Sequence, residues 1–476
     1  MSDYKSLSAH EIADGVTSGK LSAVELTQEA LKLAKTEGKE INAFITICEE
    51  KALKQAGEID KSKEKKGKPL AGVPVAIKDN ISYTDYLTSC ASHILNDYKP
   101  PYNATVVDRL IDSGAVIIGK TNLDEFAMGS SNENSYYGPV KNPVDHSLVP
   151  GGSSGGSVAA VAQKIVPLAF GSETGGSVRQ PASFCGVLGL KPTYGALSRY
   201  GLVAFGSSLD QIGPVTRNAK DLALAFQVTA GRDENDSTSV AFDKPDYVSM
   251  LETDRKFKIG IPKEYFAEGL DVEVEKNVRD SVKTLEKAGH TFVDISLPLS
   301  DKGIAVYYIV ACAEASSNLA RYDGVKYGLR EAADSDLMTM YSTTRANGFG
   351  AEVKRRIMLG TYVLSSGYYE AYYRKASRVR ELIRRDFEFA FKNVDLIISP
   401  TTPTPAFKLG EKVTDPLSMY LSDIYTVSAN LACICSISVP CGTVKDGRPV
   451  GMQFSAPWFG ELSLFQIASI LEKLKN

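Results

Sequence analysis

The chain has 476 residues, which at roughly 150 residues per domain means about three ordinary domains or one large α/β domain with insertions. Lysine and arginine total 54 against 57 aspartate and glutamate, a net charge of −3, with 43% hydrophobic and 23% charged residues. This balance excludes disorder, collagen and coiled coil as overall classes, and it lacks the global positive field that non-specific nucleic-acid binding uses, so an RNA partner would be held locally or by another subunit.

Two capping boxes open the chain, Ser8 with Glu11 and Ser22 with Glu25, each followed by apolar residues at helical spacing. They predict an N-terminal helical arm over 1–60. The lysine run Lys61-Ser-Lys-Glu-Lys-Lys-Gly-Lys68 reads as a solvated loop. From 69 to 235 short β-branched runs alternate with helical patterns: VPVAI at Val73 to Ile77, ATVVDRLIDS, AVIIG, then the small-residue helix SVAAVAQ. Such alternation predicts an α/β layer with a mixed, mostly parallel sheet covered by helices. A mainly helical insertion is expected over 240–393, notably Ala351 to Phe391. Over 394–476 strand-like runs return, VDLIIS, ICSISVP and GMQFSAP, before a final helix from about Leu462, so one sheet is expected to be interrupted by the insertion.

Seven scattered cysteines do not form the framework of a small secreted protein, and a reducing compartment is expected. Cys433, Cys435 and Cys441 cluster without a nearby histidine and read as core thiols in place of a metal site, and the four histidines share no ligand spacing. No metal is therefore expected. No apolar run reaches the ~18 residues of a membrane span, and the polar start is no signal peptide, so a soluble cytoplasmic protein of bacterial type is expected, with an organelle as the alternative.

Two short motifs are misleading. Gly114 to Thr121 fits the phosphate-loop pattern G-x-x-x-x-G-K-T, but Val116, Ile117 and Ile118 read as the strand itself, leaving no loop to cradle phosphate. Gly151-Gly-Ser153-Ser-Gly155 fits the nucleophile elbow G-x-S-x-G, which needs a histidine downstream. Only His290 follows, in what reads as a helix-to-strand turn. A serine hydrolase here must deprotonate its serine by another base.

Two glycine-serine loops, Pro150 to Ser157 and Gly171 to Pro181, are separated by one helix and the run VPLAF, so both can flank one strand end. Gly175 and Gly176 remove side chains where backbone N–H groups would have to point at an oxyanion. Lys78 ends the run from Val73; a solvated strand end is its ordinary reading, yet a lysine in an apolar site loses its proton near neutrality and becomes a general base. Lysine and serine together supply what the missing histidine cannot.

The stretch GGSSGGSVAAVAQKIVPLAFGSETGGSVRQPASFCGVLGLKPTYG resembles the amidase signature, and the likeness to that family covers essentially the whole chain. The resemblance implies a Ser-Ser-Lys triad, with Ser177 as nucleophile, Ser153 as relay after a cis Gly152–Ser153 bond, and Lys78 as base. The oxyanion hole falls on the amides of Thr174, Gly175, Gly176 and Ser177. Further stretches, SSLDQIGPVTRNAKD, ACAEASSNLARYDGVKYG, VKRRIMLGTYVLSSGYYEAYY and LSMYLSDIYTVSANLAC, are similar to the glutamine-hydrolysing branch of the family. That branch implies glutamine as substrate, with Arg356 and Asp423 holding its carboxylate and ammonium, and Tyr307 or Tyr308 lining the pocket. It implies ammonia delivered to a partner that amidates tRNA-bound glutamate, and in some organisms aspartate, using ATP and magnesium held by the partner. Two partner subunits, B and C, are implied, with tRNA held mainly by the partner and no cofactor in this chain. A stand-alone amidase for other small amides, and a non-catalytic assembly protein, are the alternatives.

Overall fold

The computed structural model describes residues 4–475. Among these, eleven strands form one sheet: β1 (Phe44–Ile47), β2 (Pro74–Lys78), β3 (Val116–Thr121), β4 (Leu168–Glu173), β5 (Leu188–Lys191), β6 (Gln211–Thr216), β7 (Lys258–Pro262), β8 (Thr291–Ile295), β9 (Leu396–Pro400), β10 (Cys435–Thr443) and β11 (Pro449–Ala456). Their order is β1-β3-β2-β4-β6-β5-β10-β11-β9-β7-β8. The sheet is mixed, as expected, but it is not mostly parallel. Six of its ten pairings are antiparallel, and the parallel ones are confined to β3-β2-β4 and β9-β7-β8. The reason lies in the connections: a helix between strands makes a parallel crossover possible, whereas β10 and β11 are joined by a short turn and pair as a hairpin.

Strands β2, β3, β4 and β9 are buried along their whole length, because helices cover both faces. The N-terminal arm is not wholly helical: its helices Ala9–Thr17, Ala23–Lys35 and Glu49–Lys61 are interrupted by β1, which pairs with β3 and makes the arm part of the sheet, and the two Ser caps close differently. Ser8 and Glu11 close a reciprocal box, whereas at Ser22 the free amides of Ala23 and Val24 go to Asp60 at 2.8 and 3.1 Å. The expected insertion is not wholly helical. It contributes β7 and β8, which prolong the same sheet, and the stretch from Ala351 to Phe391 is two helices, Ala351–Leu364 and Lys375–Ala390, joined through a π-helical turn. A second apolar cluster, including Phe126, Tyr307, Val310, Phe349, Ile383 and Phe387, holds these helices against the rim of the sheet.

The topology explains where the glycine loops lie. β2 and β4 are parallel neighbours with Ile77 opposite Phe170, so Lys78 and the residues after Gly171 emerge at the same edge. The helix Gly155–Ala162 precedes β4 and crosses back over the sheet, which brings its N-terminus, with Ser153 and Ser154, to that edge as well.

Candidate active site

Lys78 is completely buried, and its Nζ donates to Ser153 Oγ at 2.7 Å, Ser154 Oγ at 2.9 Å and the Ser172 carbonyl at 3.0 Å. Burial pulls its pKa down to about 7, against the opposing charges of Asp124, Asp210 and Glu173. A near-neutral amine on a serine hydroxyl at this distance can take its proton. The Gly152–Ser153 peptide is cis. The turn around it is fixed by Gln180, whose Oε1 accepts the Gly152 N–H at 3.0 Å and whose Nε2 donates to the Ser130 carbonyl at 2.8 Å.

Ser177 lies on the adjoining loop, where its carbonyl accepts the Ser154 N–H at 3.0 Å. Its hydroxyl makes no hydrogen bond to another of the described residues, so the expected chain is closed from Lys78 to Ser153 and open from Ser153 to Ser177. The loop is held from both ends. Glu173 accepts the amides of Val178 and Arg179 at 3.0 and 3.1 Å and forms a wholly buried ion pair with Arg179. Thr426 Oγ1 donates to the Gly175 carbonyl at 2.6 Å, and Thr174 Oγ1 to Asp210 at 2.7 Å. The amides of Gly175, Gly176 and Ser177 bond no acceptor among the described residues, which leaves them available to a developing oxyanion. Two neighbours explain the glycines. A Cβ on Gly175 would lie 2.5 Å from the Tyr307 ring, and Gly176, at φ +149°, faces Thr426 and Asp423 Oδ1.

Asp423 and Arg356 are both buried beside this loop. Asp423 Oδ2 accepts the Ser130 hydroxyl at 2.5 Å, while Oδ1 has no partner among the described residues. Burial pushes the Asp423 carboxyl up to about 7, although Ser130 and the nearby Arg356 work the other way. Arg356 donates through Nε to Glu352 at 2.8 Å and sits over the rings of Phe205, Tyr308 and Tyr420. Its Nη groups bond no acceptor among the described residues. Arg356 lines a cavity of about 120 Å³ together with Ser131, Glu352, Arg355, Lys412 and Tyr420, and neither Ser177 nor Asp423 lines it. The two tyrosines divide the work: Tyr307 packs on Gly175, and Tyr308 lies under Arg356 with its ring 5.0 Å from that of Tyr307.

Sequence reasoning did not find Ser130, Ser154, Gln180, Thr426, Glu352 or Tyr420. Ser154 and Gln180 lie within the glycine-serine signature, where their places beside Ser153 and Arg179 were the available signal. Tyr420 and Thr426 flank Asp423 in the stretch LSMYLSDIYTVSANLAC, whereas Ser130 lies in a loop and Glu352 on a helix face without a local signal. The two misleading motifs resolve as expected. Lys120 is a strand residue paired with Asp79 at 2.9 Å, both fully buried, and His290 Nδ1 accepts the Phe257 N–H at 3.1 Å in a helix-to-strand turn. All seven cysteines are free thiols, six of them buried.

The chain belongs to the amidase family, whose model matches residues 25–465 and so spans the buried Lys78, the cis peptide before Ser153 and the glycine loop with free amides. Among its relatives, the A-subunit of the glutamyl-tRNA(Gln) amidotransferase of Carboxydothermus hydrogenoformans is 56% identical over 472 residues, covering 98% of this chain and 97% of that one. The crystal structure of the protein of the same name from Thermotoga maritima superposes with a TM-score of 0.83 at 42% identity, covering 99% and 96% of the two chains. The native peptide amidase of Stenotrophomonas maltophilia shares the fold at a TM-score of 0.81 and 28% identity, covering 99% and 97%. No helix of the described residues is long and apolar enough to cross a membrane.

Proposed function

We propose that this chain is the glutamine-hydrolysing subunit of a tRNA-dependent amidotransferase. The observation that carries the reading is a pair of buried opposite charges with free edges: Asp423, whose Oδ1 faces Gly176 without a donor among the described residues, and Arg356, whose Nε is paired with Glu352 and whose Nη groups bond no acceptor among the described residues. Glutamine carries an ammonium and a carboxylate on one carbon, so an anion and a cation held apart can fix that carbon while the side-chain amide reaches Ser177. The relatives that bear the glutamyl-tRNA(Gln) amidotransferase name support the same substrate.

Ser177 Oγ attacks the amide carbon. Its proton passes to Ser153, whose own proton passes to Lys78 Nζ. The oxyanion is held by the amides of the Thr174–Ser177 loop, and donors so placed are each worth on the order of 10²–10³ in rate. The lysine proton returns through Ser153 to the leaving nitrogen, and ammonia departs, leaving a glutamyl ester on Ser177. Water, activated by the same relay, releases glutamate. Ammonia then serves a partner protein that binds tRNA and spends ATP with magnesium. A second partner braces the assembly.

The test is Ser177→Ala in the co-purified complex. Glutamine-dependent amidation of glutamyl-tRNA should vanish while amidation from supplied ammonium salt persists, since the serine only makes ammonia. Loss of both activities in a folded complex would place this chain in the tRNA chemistry and overturn the reading.

A further inference from the structure

An arginine with four side-chain torsions binds a carboxylate well only if it is already held in place. At Arg356 the holding group is Glu352, one turn earlier on the helix Ala351–Leu364, whose Oε1 accepts Arg356 Nε at 2.8 Å. The same oxygen accepts the Tyr420 hydroxyl, also at 2.8 Å. Tyr420 stacks on Tyr308 with centroids 4.0 Å apart and planes 25° from parallel, and Arg356 lies 5.1 and 5.5 Å from these two ring centres. Tyr420 ends the short helix Pro416–Tyr420, in a largely exposed stretch, and Asp423 follows three residues later. Thus one carboxylate oxygen joins the helix that carries the cation to the segment that carries the anion.

We propose that Glu352 and Tyr420 are positioning residues for the substrate clamp: their shared hydrogen bond aims the Nη edge of Arg356 at the substrate carboxylate. This inference rests on the glutamine reading. Two features of the geometry support it. Glu352 would repel an incoming carboxylate, yet Oε1 accepts from Arg356 and Tyr420 and Oε2 is paired with the half-exposed Arg355, so both oxygens are already engaged by donors. The guanidinium spends only Nε on the protein, which leaves the two-pronged Nη edge for the ligand.

The experiment is steady-state glutamine hydrolysis by the assembled complex carrying Tyr420→Phe, Glu352→Ala, Glu352→Gln, Arg356→Ala, or Tyr420→Phe with Arg356→Ala. One net hydrogen bond corresponds to a factor of up to roughly ten. Tyr420→Phe, which keeps the ring, should raise KM for glutamine about five- to tenfold with kcat within about twofold. Glu352→Ala should raise KM at least as much, and Glu352→Gln, which keeps the shared oxygen, should recover most of the loss. In the Arg356→Ala background Tyr420→Phe should change KM less than about twofold, because there is no guanidinium left to aim. An unchanged KM in Tyr420→Phe, or an equal rise in both backgrounds, overturns the proposal. A fall in kcat with a lowered melting temperature would mean a merely structural role and overturns it too. If Arg356→Ala itself leaves KM unmoved, the glutamine reading of the pocket fails first, which separates that failure from a failure of the brace alone.

Discussion

Lys78 and Asp423 are the two residues whose ordinary ionisation the fold has changed most usefully. Burial brings the lysine down to about 7 and the aspartate up to about 7, so in the empty site both titrate in the same range. The signs act together. Lys78 accepts the serine proton only when neutral, and Asp423 receives an ammonium only when ionised, so both requirements fail as the pH falls through 7. Because kcat/KM reports the free enzyme, its logarithm for glutamine should fall with a slope approaching 2 below about pH 6. For kcat alone, with the clamp already occupied, one proton should remain and the slope should approach 1. Asp423→Asn should reduce the kcat/KM slope to 1 while raising KM. Retention of the steeper slope in that variant would assign the second proton elsewhere.

The element that matters most is the turn from the end of β4 into the helix Arg179–Cys185, because it holds Ser177 and its free amides in place. Glu173 closes this turn by accepting two backbone amides, and Arg179 spreads its fork over Glu173, the Thr426 carbonyl at 2.9 Å and Asn430 at 2.5 Å, and also reaches Gln453. Burial alone would raise the Glu173 carboxyl, yet its pair with Arg179 holds it below the ordinary value. Its contribution to stability is therefore present above the unfolded-state carboxylate range and is lost as the pH falls through the lowered value. Removing one partner strands the other charge in the interior, a loss of about 3–5 kcal/mol. Glu173→Gln should accordingly lower the unfolding free energy in urea by that amount and cut kcat. Arg179→Lys should not restore either, since an ammonium cannot span the same acceptors. Urea unfolding followed by circular dichroism measures the first effect, and a midpoint within error of the parent would show that the pair is dispensable.

At the scale of the whole molecule, the site residues come from segments that are far apart in the chain and meet only because the sheet is continuous. β5 at the end of the signature region pairs with β10, and Ser183 Oγ accepts the Gly451 N–H of β11 at 2.9 Å. The signature core over 69–235 therefore has an open edge and an uncovered helix when cut from the rest. Expressed alone, that fragment should fail to fold, shown by loss of near-ultraviolet dichroism and rapid proteolysis. A protected, cooperatively unfolding fragment would mean that β10 and β11 are an accessory layer.

Much of this protein is set by short-range pattern. The capped helices of the arm, β2, β3 and β4, and the strands from 394 onward are legible because apolar period and turn residues act within a few residues of each other. The absence of a usable histidine and the doubled glycine-serine loops likewise pointed to lysine chemistry from the residues alone. Pairing direction was not legible, because neighbours such as β5 and β10 are brought together by burial across some 240 positions, with nothing local to mark their sense. The same applies to the satisfied polar groups around the clamp. Ser130, Glu352 and Tyr420 are ordinary surface-type residues in the chain, and only tertiary packing sets them beside Asp423 and Arg356, with the Ser130–Asp423 bond buried and the Tyr420–Glu352 bond partly buried.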